Sequence, residues 1–332
     1  MNRWDKKQLG MTLVISLGIW VVIGGACLMV GSTGTFGIPN PRQLPSRLEV
    51  VLLASLVGAA LAGAGVVYQA ILQNPLADPY LLGISSGASL AAYLWHFLPL
   101  TGAILAGASQ QAFAFTGALL AVAVVFSLAG ARGRLEPLTL LLVGVIVNAV
   151  NGSIYLLINA INRGLAATGG VESFLVGGLQ ASLSPSQEYC AAIVVGIGWI
   201  ILMSLSGQLN IAVLSEGEAM SLGVRIHRLR WVSLIVASLV TAAAVAVSGP
   251  IGFVGLVCPH LARVVVGPDH RRLLPVATAL GAGLLAIADA ISRKLAAQGG
   301  VGTQLPVGVL TGLLGGPFFL LLLWQMRRRA MR

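Results

Sequence analysis

Apolar residues run in blocks of about twenty along nearly the whole chain, separated by short polar or glycine- and proline-rich punctuation. Blocks of that length match the ~20 residues that an α-helix needs to cross the hydrocarbon core of a bilayer. The pattern predicts spans near 11–31, 48–70, 83–99, 108–130, 138–160, 188–206, 230–248, 251–266, 273–292 and 306–326. An even number of crossings leaves both termini on one side. The expected fold class is an all-α polytopic membrane protein with ten transmembrane helices. Residues 1–332 read as a single transmembrane domain, because no polar stretch is long enough to build a soluble one.

One stretch departs from this pattern. Residues 73–88, QNPLADPYLLGISSGA, lie between apolar runs yet hold Pro75, Pro79, Gly83 and Gly87 together with Asn74 and Asp78. Hydrocarbon cannot satisfy freed backbone groups, so a broken segment at membrane depth must sit inside protein or line a watery cavity. The stretch therefore marks a pathway rather than an anchor.

Composition agrees with the membrane reading and fixes an orientation. The chain is 57% hydrophobic and 9% charged, against roughly 25% charged in soluble domains. Arg3, Lys6, Lys7, Arg132, Arg134, Arg225, Arg228, Arg230, Arg263, Arg271, Arg272, Arg327, Arg328, Arg329 and Arg332 fall on one side of the predicted spans. Arg42, Arg47, Arg163, Arg293 and Lys294 fall on the other. Fifteen against five predicts both termini in the cytoplasm of a multi-pass protein of the cell (inner) membrane. The net charge of +10 is thereby accounted for, and no aromatic-interleaved basic surface points to nucleic acid.

The first run follows Lys6 and Lys7 and reads as a retained helix, being long for a signal peptide and lacking a small-x-small cleavage site after it. The 42 glycines fall largely inside apolar runs, where small residues let lipid-embedded helices approach closely. Cys27, Cys190 and Cys258 are isolated and read as small buried hydrophobes. The four histidines have no helical pairing and predict no metal site. His227 and His270 read as loop residues beside arginines, and His260 as a structural residue near a helix end.

Two patterns bear on chemistry. Gly83-Ile84-Ser85-Ser86-Gly87 matches the G-x-S-x-G nucleophile elbow, which would need a strand–turn–helix setting and a histidine such as His260. An intramembrane serine hydrolase is the reading that follows if it is real; a helix start is the plainer one. Asp289 is the carboxylate deepest in a predicted helix, and Arg293 one turn later predicts an i,i+4 ion pair. An ATP-independent secondary transporter would need membrane-embedded ionisable residues, and Asp289 alone qualifies. No Walker A sequence is present, so the chain does not hydrolyse ATP by that route.

Residues 214–224 are too polar to span. They predict a short amphipathic helix closed by Gly223, and Glu216 and Glu218 favour a protein contact over an anionic lipid surface. A faint internal echo links Asn74-Pro75-Leu76-Ala77 with Pro259-His260-Leu261-Ala262, in halves predicted to run in opposite directions, as inverted repeats do.

Together these residues resemble the permease family of type II ABC importers for iron-siderophore complexes, haem and cobalamin. The resemblance covers nearly the whole chain. It rests on Gly63-Ala64-Gly65 leading to Gln69, on NPLADP at 74–79 with LGISSGA at 82–88, and on LLLVG at 140–144. It continues in EAMSLGV at 218–224, SGPIGFVGLVCPHLAR at 248–263, DHRRLLP at 269–275 and LPVGVLTGLLGGP at 305–317. It implies a homodimer with two ABC ATPase subunits below and a periplasmic or lipoprotein binding protein above. ATP and magnesium would be used by the ATPase, with no cofactor on this chain. It also implies a gate at Asn74, Pro75 and Leu76, and a second gate at Pro137 and Leu138, where relatives often carry small hydroxyl residues. ATPase coupling would fall to Glu216, Glu218, Ala219, Leu222 and Gly223, within coupling helices at about 214–229. Arg42, Arg47 and Arg293 match outer positions that meet the binding protein, so Arg293 has two expected roles. The expected activity is import of a metal chelate, an iron complex first, with haem and cobalamin close behind.

Overall fold

The computed structural model describes residues 6–31, 36–95, 109–130, 136–161, 174–179, 183–213, 216–221, 223–298 and 305–330. Eleven α-helices organise them. They are α1 (Lys6–Leu28), α2 (Leu44–Ile71), α3 (Ile84–Trp95), α4 (Gln110–Ala129), α5 (Pro137–Ile161) and α6 (Pro185–Ala212), then α7 (Glu216–Ser221), α8 (Ile226–Ser248), α9 (Val254–Val266), α10 (His270–Gln298) and α11 (Val307–Ala330). All but α7 are apolar and coincide with the ten predicted runs. Local chemistry sets several ends: Pro45 and Pro185 lie in the first turns of α2 and α6, and the Ser109 hydroxyl accepts the Ala112 N–H.

Eight of these helices are long and apolar enough to cross a membrane. The exceptions are α7, α3 and α9, with six, 12 and 13 described residues. At 1.5 Å per residue α9 reaches only about 20 Å, short of the ~30 Å core. The run at 251–266 is therefore part helix and part irregular backbone, while in the run at 83–99 the described helix covers 84–95 and residues 96–99 lie outside the described set. A 3₁₀ turn, Pro79–Leu82, precedes α3, and an irregular stretch from Gly249 to Phe253 precedes α9.

The packing is layered. In both α2 and α8, 78% of the most apolar 18 residues are buried, against 6% in α5. The central seam is α2 against α10, flanked by α1, α8 and α9. Small residues make it possible. A Cβ on Gly58 would lie 2.1 Å from the Gly281 carbonyl oxygen, and one on Gly65 would lie 2.0 Å from that of Gly255. Backbones in lipid are held by such contact because no hydrophobic force drives helix association there.

Some expectations change. Cys27 and Cys258 are buried, but Cys190 is exposed, because it lies on an outward face of α6 where lipid takes the place of protein. His270 is buried at the first residue of α10, and His227 sits in the first turn of α8, so neither is in a loop. His260 lies in the middle of α9, beside the Phe318 ring at 5.9 Å.

Candidate translocation gate

The segment after α2 is built by a series of side chain-to-backbone bonds. Gln73 has φ +48°, and its Nε2 donates to the Ala212 carbonyl at the end of α6. The Asn74 Oδ1 accepts the Leu76 N–H at 2.9 Å, and the Ala77 N–H donates to the Asn74 carbonyl, closing a tight Asx turn. Asp78 then caps the 3₁₀ turn, its Oδ1 accepting the Tyr80 N–H at 2.9 Å. Pro79 at the turn's first position has no N–H to leave unpaired.

This loop enters the protein rather than skirting it. Ala77, Asp78, Pro79 and Leu82 are buried; Asn74 and Leu76 are half-buried, and Pro75 is exposed. A Cβ on Gly144 of α5 would lie 2.3 Å from the Leu81 carbonyl oxygen, so α5 rests directly on the loop backbone. The Asn148 Nδ2 donates to the Tyr80 carbonyl at 3.3 Å, and the Asn151 Nδ2 donates to the Ser86 hydroxyl at 3.0 Å. The Asn148 amide thus satisfies backbone that lipid could not. Burial pushes the Asp78 carboxyl up to about 6, although the Tyr80 N–H that donates to it pulls the other way.

From the other half of the chain, α9 seals the inner wall. The Gln69 Nε2 donates to the carbonyls of Gly255 and Leu256 at 3.4 Å each, while its Oε1 accepts from Arg263 at 3.1 Å. The NPLADP segment and the SGPIGF segment therefore face one another across the α2–α9 contact. Those are the stretches that precede the two short helices.

Asn74, Pro75 and Leu76 share this loop; Pro137 and Leu138 open α5, and the Leu138 side chain is exposed. In α7, Ala219 is fully buried and Glu218 is exposed. Gly223 has φ +78°, and the Val224 N–H donates to the Ala219 carbonyl, which closes the helix with the 6→1 bond of a Schellman motif. Leu222 lies outside the described residues.

On the opposite end, Arg42 is exposed. Arg47 donates to the Leu28 and Gly37 carbonyls and to the Gln43 Oε1, fastening the connection between α1 and α2. Arg293 is buried, pairs with Asp289 at 2.8 Å as its i,i+4 spacing predicts, and donates to the Val30 carbonyl at 2.6 Å.

The G-x-S-x-G stretch forms the first turn of α3, and Ser85 is 2% exposed there. Helix follows a 3₁₀ turn there, and no strand precedes it among the described residues. Among the described residues, no group of three or more His, Cys, Asp or Glu side chains is placed to hold a metal. The motif signals located the loop and included Gln73 and Phe253 without giving either a task, whereas Asn148 and Asn151 escaped them. An asparagine pair one turn apart in an apolar run was the available signal, since an amide in lipid needs a partner.

The FecCD transport family matches residues 12–325. The cobalamin import system permease BtuC of Halobacterium salinarum is 39% identical over 301 residues, covering 89% of this chain and 78% of the relative. The hemin transport system permease HmuU of Yersinia pestis is 39% identical over 290 residues, covering 85% and 83%. A structure of a candidate metal-chelate type ABC transporter in an inward-facing conformation superposes with a TM-score of 0.81 at 30% identity, covering 95% of this chain and 99% of that one. With a broken, polar loop clamped between α5 and α9, the chain belongs to the FecCD transport family and is the membrane-spanning permease subunit of an ABC importer.

Proposed function

We propose that this permease imports an iron complex, with haem and cobalamin as the nearest alternatives, and that it works as a homodimer in the cell membrane with both termini cytoplasmic. The observation that carries the reading is the face of α5. Leu142, Val145, Ile146, Val150, Leu156 and Leu157 leave it aliphatic and exposed, while its asparagines turn inward to the gate loop. Such a face suits a second subunit or a bulky, weakly held passenger as well as it suits lipid, and its aliphatic side chains offer a chelated metal no ligand to strip it.

In this reading Asn74, Pro75 and Leu76 form one gate with Pro137 and Leu138 as the second. Two ATPase subunits bind ATP and magnesium beneath, pressing on Glu216, Glu218, Ala219, Leu222 and Gly223. The chain itself holds no cofactor. A binding protein docks on Arg42 and Arg47. Arg293 joins that docking only by giving up Asp289. Binding energy from the two partners biases the bundle between closed and open arrangements.

The test is reconstitution of the complete importer in proteoliposomes, with a radiolabelled ferric hydroxamate, haemin and cobalamin each offered with its binding protein. ATP-dependent accumulation of the ferric complex is expected. Accumulation of cobalamin alone would overturn the iron assignment and leave the importer class standing.

A further inference from the structure

The last turn of α6 is fastened from two directions, and the functional reading above gives it no task. On one side it meets the start of α10. The Asn210 Nδ2 donates to the Asp269 Oδ1 at 2.7 Å, and an ionised carboxylate only accepts, which fixes the orientation of the amide. The Asn210 Oδ1 then accepts the His270 N–H at 2.8 Å and lies 2.7 Å from the His270 Nδ1. Asn210 thus caps α10 from a neighbouring helix, because the first N–H groups of a helix have no partner within it. One turn earlier, a Cβ on Gly207 would lie 2.9 Å from the Arg271 Nη2, so that side chain rests on the α6 backbone. On the other side the turn meets the gate loop. The carbonyl of Ala212, the last residue of α6, accepts from the Gln73 Nε2 at 3.1 Å. Gln73 is itself held at φ +48° and stands directly before Asn74.

These ties converge where α6 gives way to α7, which begins at Glu216 and packs on α6 and α8. A displacement of α7 therefore reaches the last turn of α6, and the Ala212 carbonyl passes it to the residue that opens the gate loop. Asn210 sets the pivot, because it holds the same turn to α10, and α10 belongs to the central seam with α2. We propose that the last turn of α6 relays movement between α7 and the gate loop, with Gln73 and Asn210 as positioning residues. Gln73 is the link and Asn210 the anchor. The proposal rests on the gate and coupling assignments above.

The experiment compares wild type, Gln73→Met, Gln73→Lys and Asn210→Ala in the complete importer in proteoliposomes. It measures uptake of whichever of the ferric hydroxamate, haemin or cobalamin the wild type accumulates, together with ATP hydrolysis in the same vesicles. The readout is substrate taken up per ATP hydrolysed, which a smaller yield of assembled importer does not move. Gln73→Met keeps the side chain's length but removes its donor, and should lower this ratio roughly three- to tenfold, the scale of one lost hydrogen bond. Gln73→Lys restores a donor and should recover much of the loss. Asn210→Ala should lower the ratio to a similar extent while hydrolysis continues. An unchanged ratio in Gln73→Met overturns the proposal, as does a Gln73→Lys variant no better than Gln73→Met. If Gln73→Met does not assemble, Asn210→Ala decides: a lowered ratio supports the relay and an unchanged one overturns it. Coupling lost in Gly223→Val but intact in Gln73→Met and Asn210→Ala overturns the relay and leaves α7 at the ATPase. Coupling intact in all three counts against the relay and the α7 assignment alike.

Discussion

Replacing Gly65 with alanine is the sharpest single challenge to the packing that seats the loop after α2. The new methyl would lie 2.0 Å from the Gly255 carbonyl oxygen, and reaching the 3.4 Å of ordinary contact opens the interface by 1.4 Å. Both neighbours are backbone, so no side chain can rotate away. The bonds from Gln69 to Gly255 and Leu256 already stand at 3.4 Å and cannot survive that retreat. Overpacking costs about 1–3 kcal/mol, and a buried amide left without partners about 1–3 more. A loss of roughly 2–6 kcal/mol should lower the melting midpoint by about 5 °C or more. Thermal unfolding of the detergent-solubilised protein, followed by tryptophan fluorescence, measures it. Gly196→Ala is the internal control, because its methyl meets nothing within 4 Å. That change should be neutral, or stabilising by up to ~1 kcal/mol through helix propensity. If Gly65→Ala melts with the wild type, close backbone contact is not what holds α9 on α2.

Three further outcomes follow from the same structure. Asp78 titrates at about 6 in the fold against an ordinary 3.8, so the native state binds its proton more tightly. Its contribution to stability is therefore gained as pH falls through about 6 and lost as pH rises through it, and melting curves of Asp78→Asn should lack that component. Asp289→Asn should cost about 3–5 kcal/mol by leaving the Arg293 charge buried and unpaired, and the double change of Asp289 to Asn and Arg293 to Gln should be milder in the same melting assay. Gly223→Val places a branched residue at φ +78° at a cost of roughly 1–2 kcal/mol; ATP hydrolysis should continue while uptake fails, and intact coupling would remove α7 from the ATPase interface.

The spans were legible because lipid imposes one rule on every helix, and apolar length alone reveals it. The length of α9 was not, because Gly249–Phe253 is as apolar as the helix it precedes, and hydropathy cannot see a broken hydrogen-bond ladder. Asp289 and Arg293 could be paired in advance since their spacing is local. The close approach of Pro79 to Gly255 could not, because nothing in either neighbourhood specifies the other. Gln69 belonged to a recognisable motif, yet its task emerges only when the Gly255 and Leu256 carbonyls arrive beside it. Cys190 shows the limit of burial arguments in a membrane: an apolar run says that water is absent, not that protein is present.

The contact between Gly65 and Gly255 also sets an order in time. Gln69 is separated from its carbonyl partners by 186 and 187 residues, and ribosomes add about 5–20 residues per second. For roughly ten to forty seconds, α2 and the loop after it are inserted before α9 exists. During that interval the Tyr80 and Leu81 carbonyls can already meet Asn148, but Gln69 waits. The first half of the permease is thus born incomplete. The nascent chain is most exposed to membrane proteases in this window, and a variant that merely delays the synthesis of α9 would lower the yield of a protein whose finished stability is unchanged.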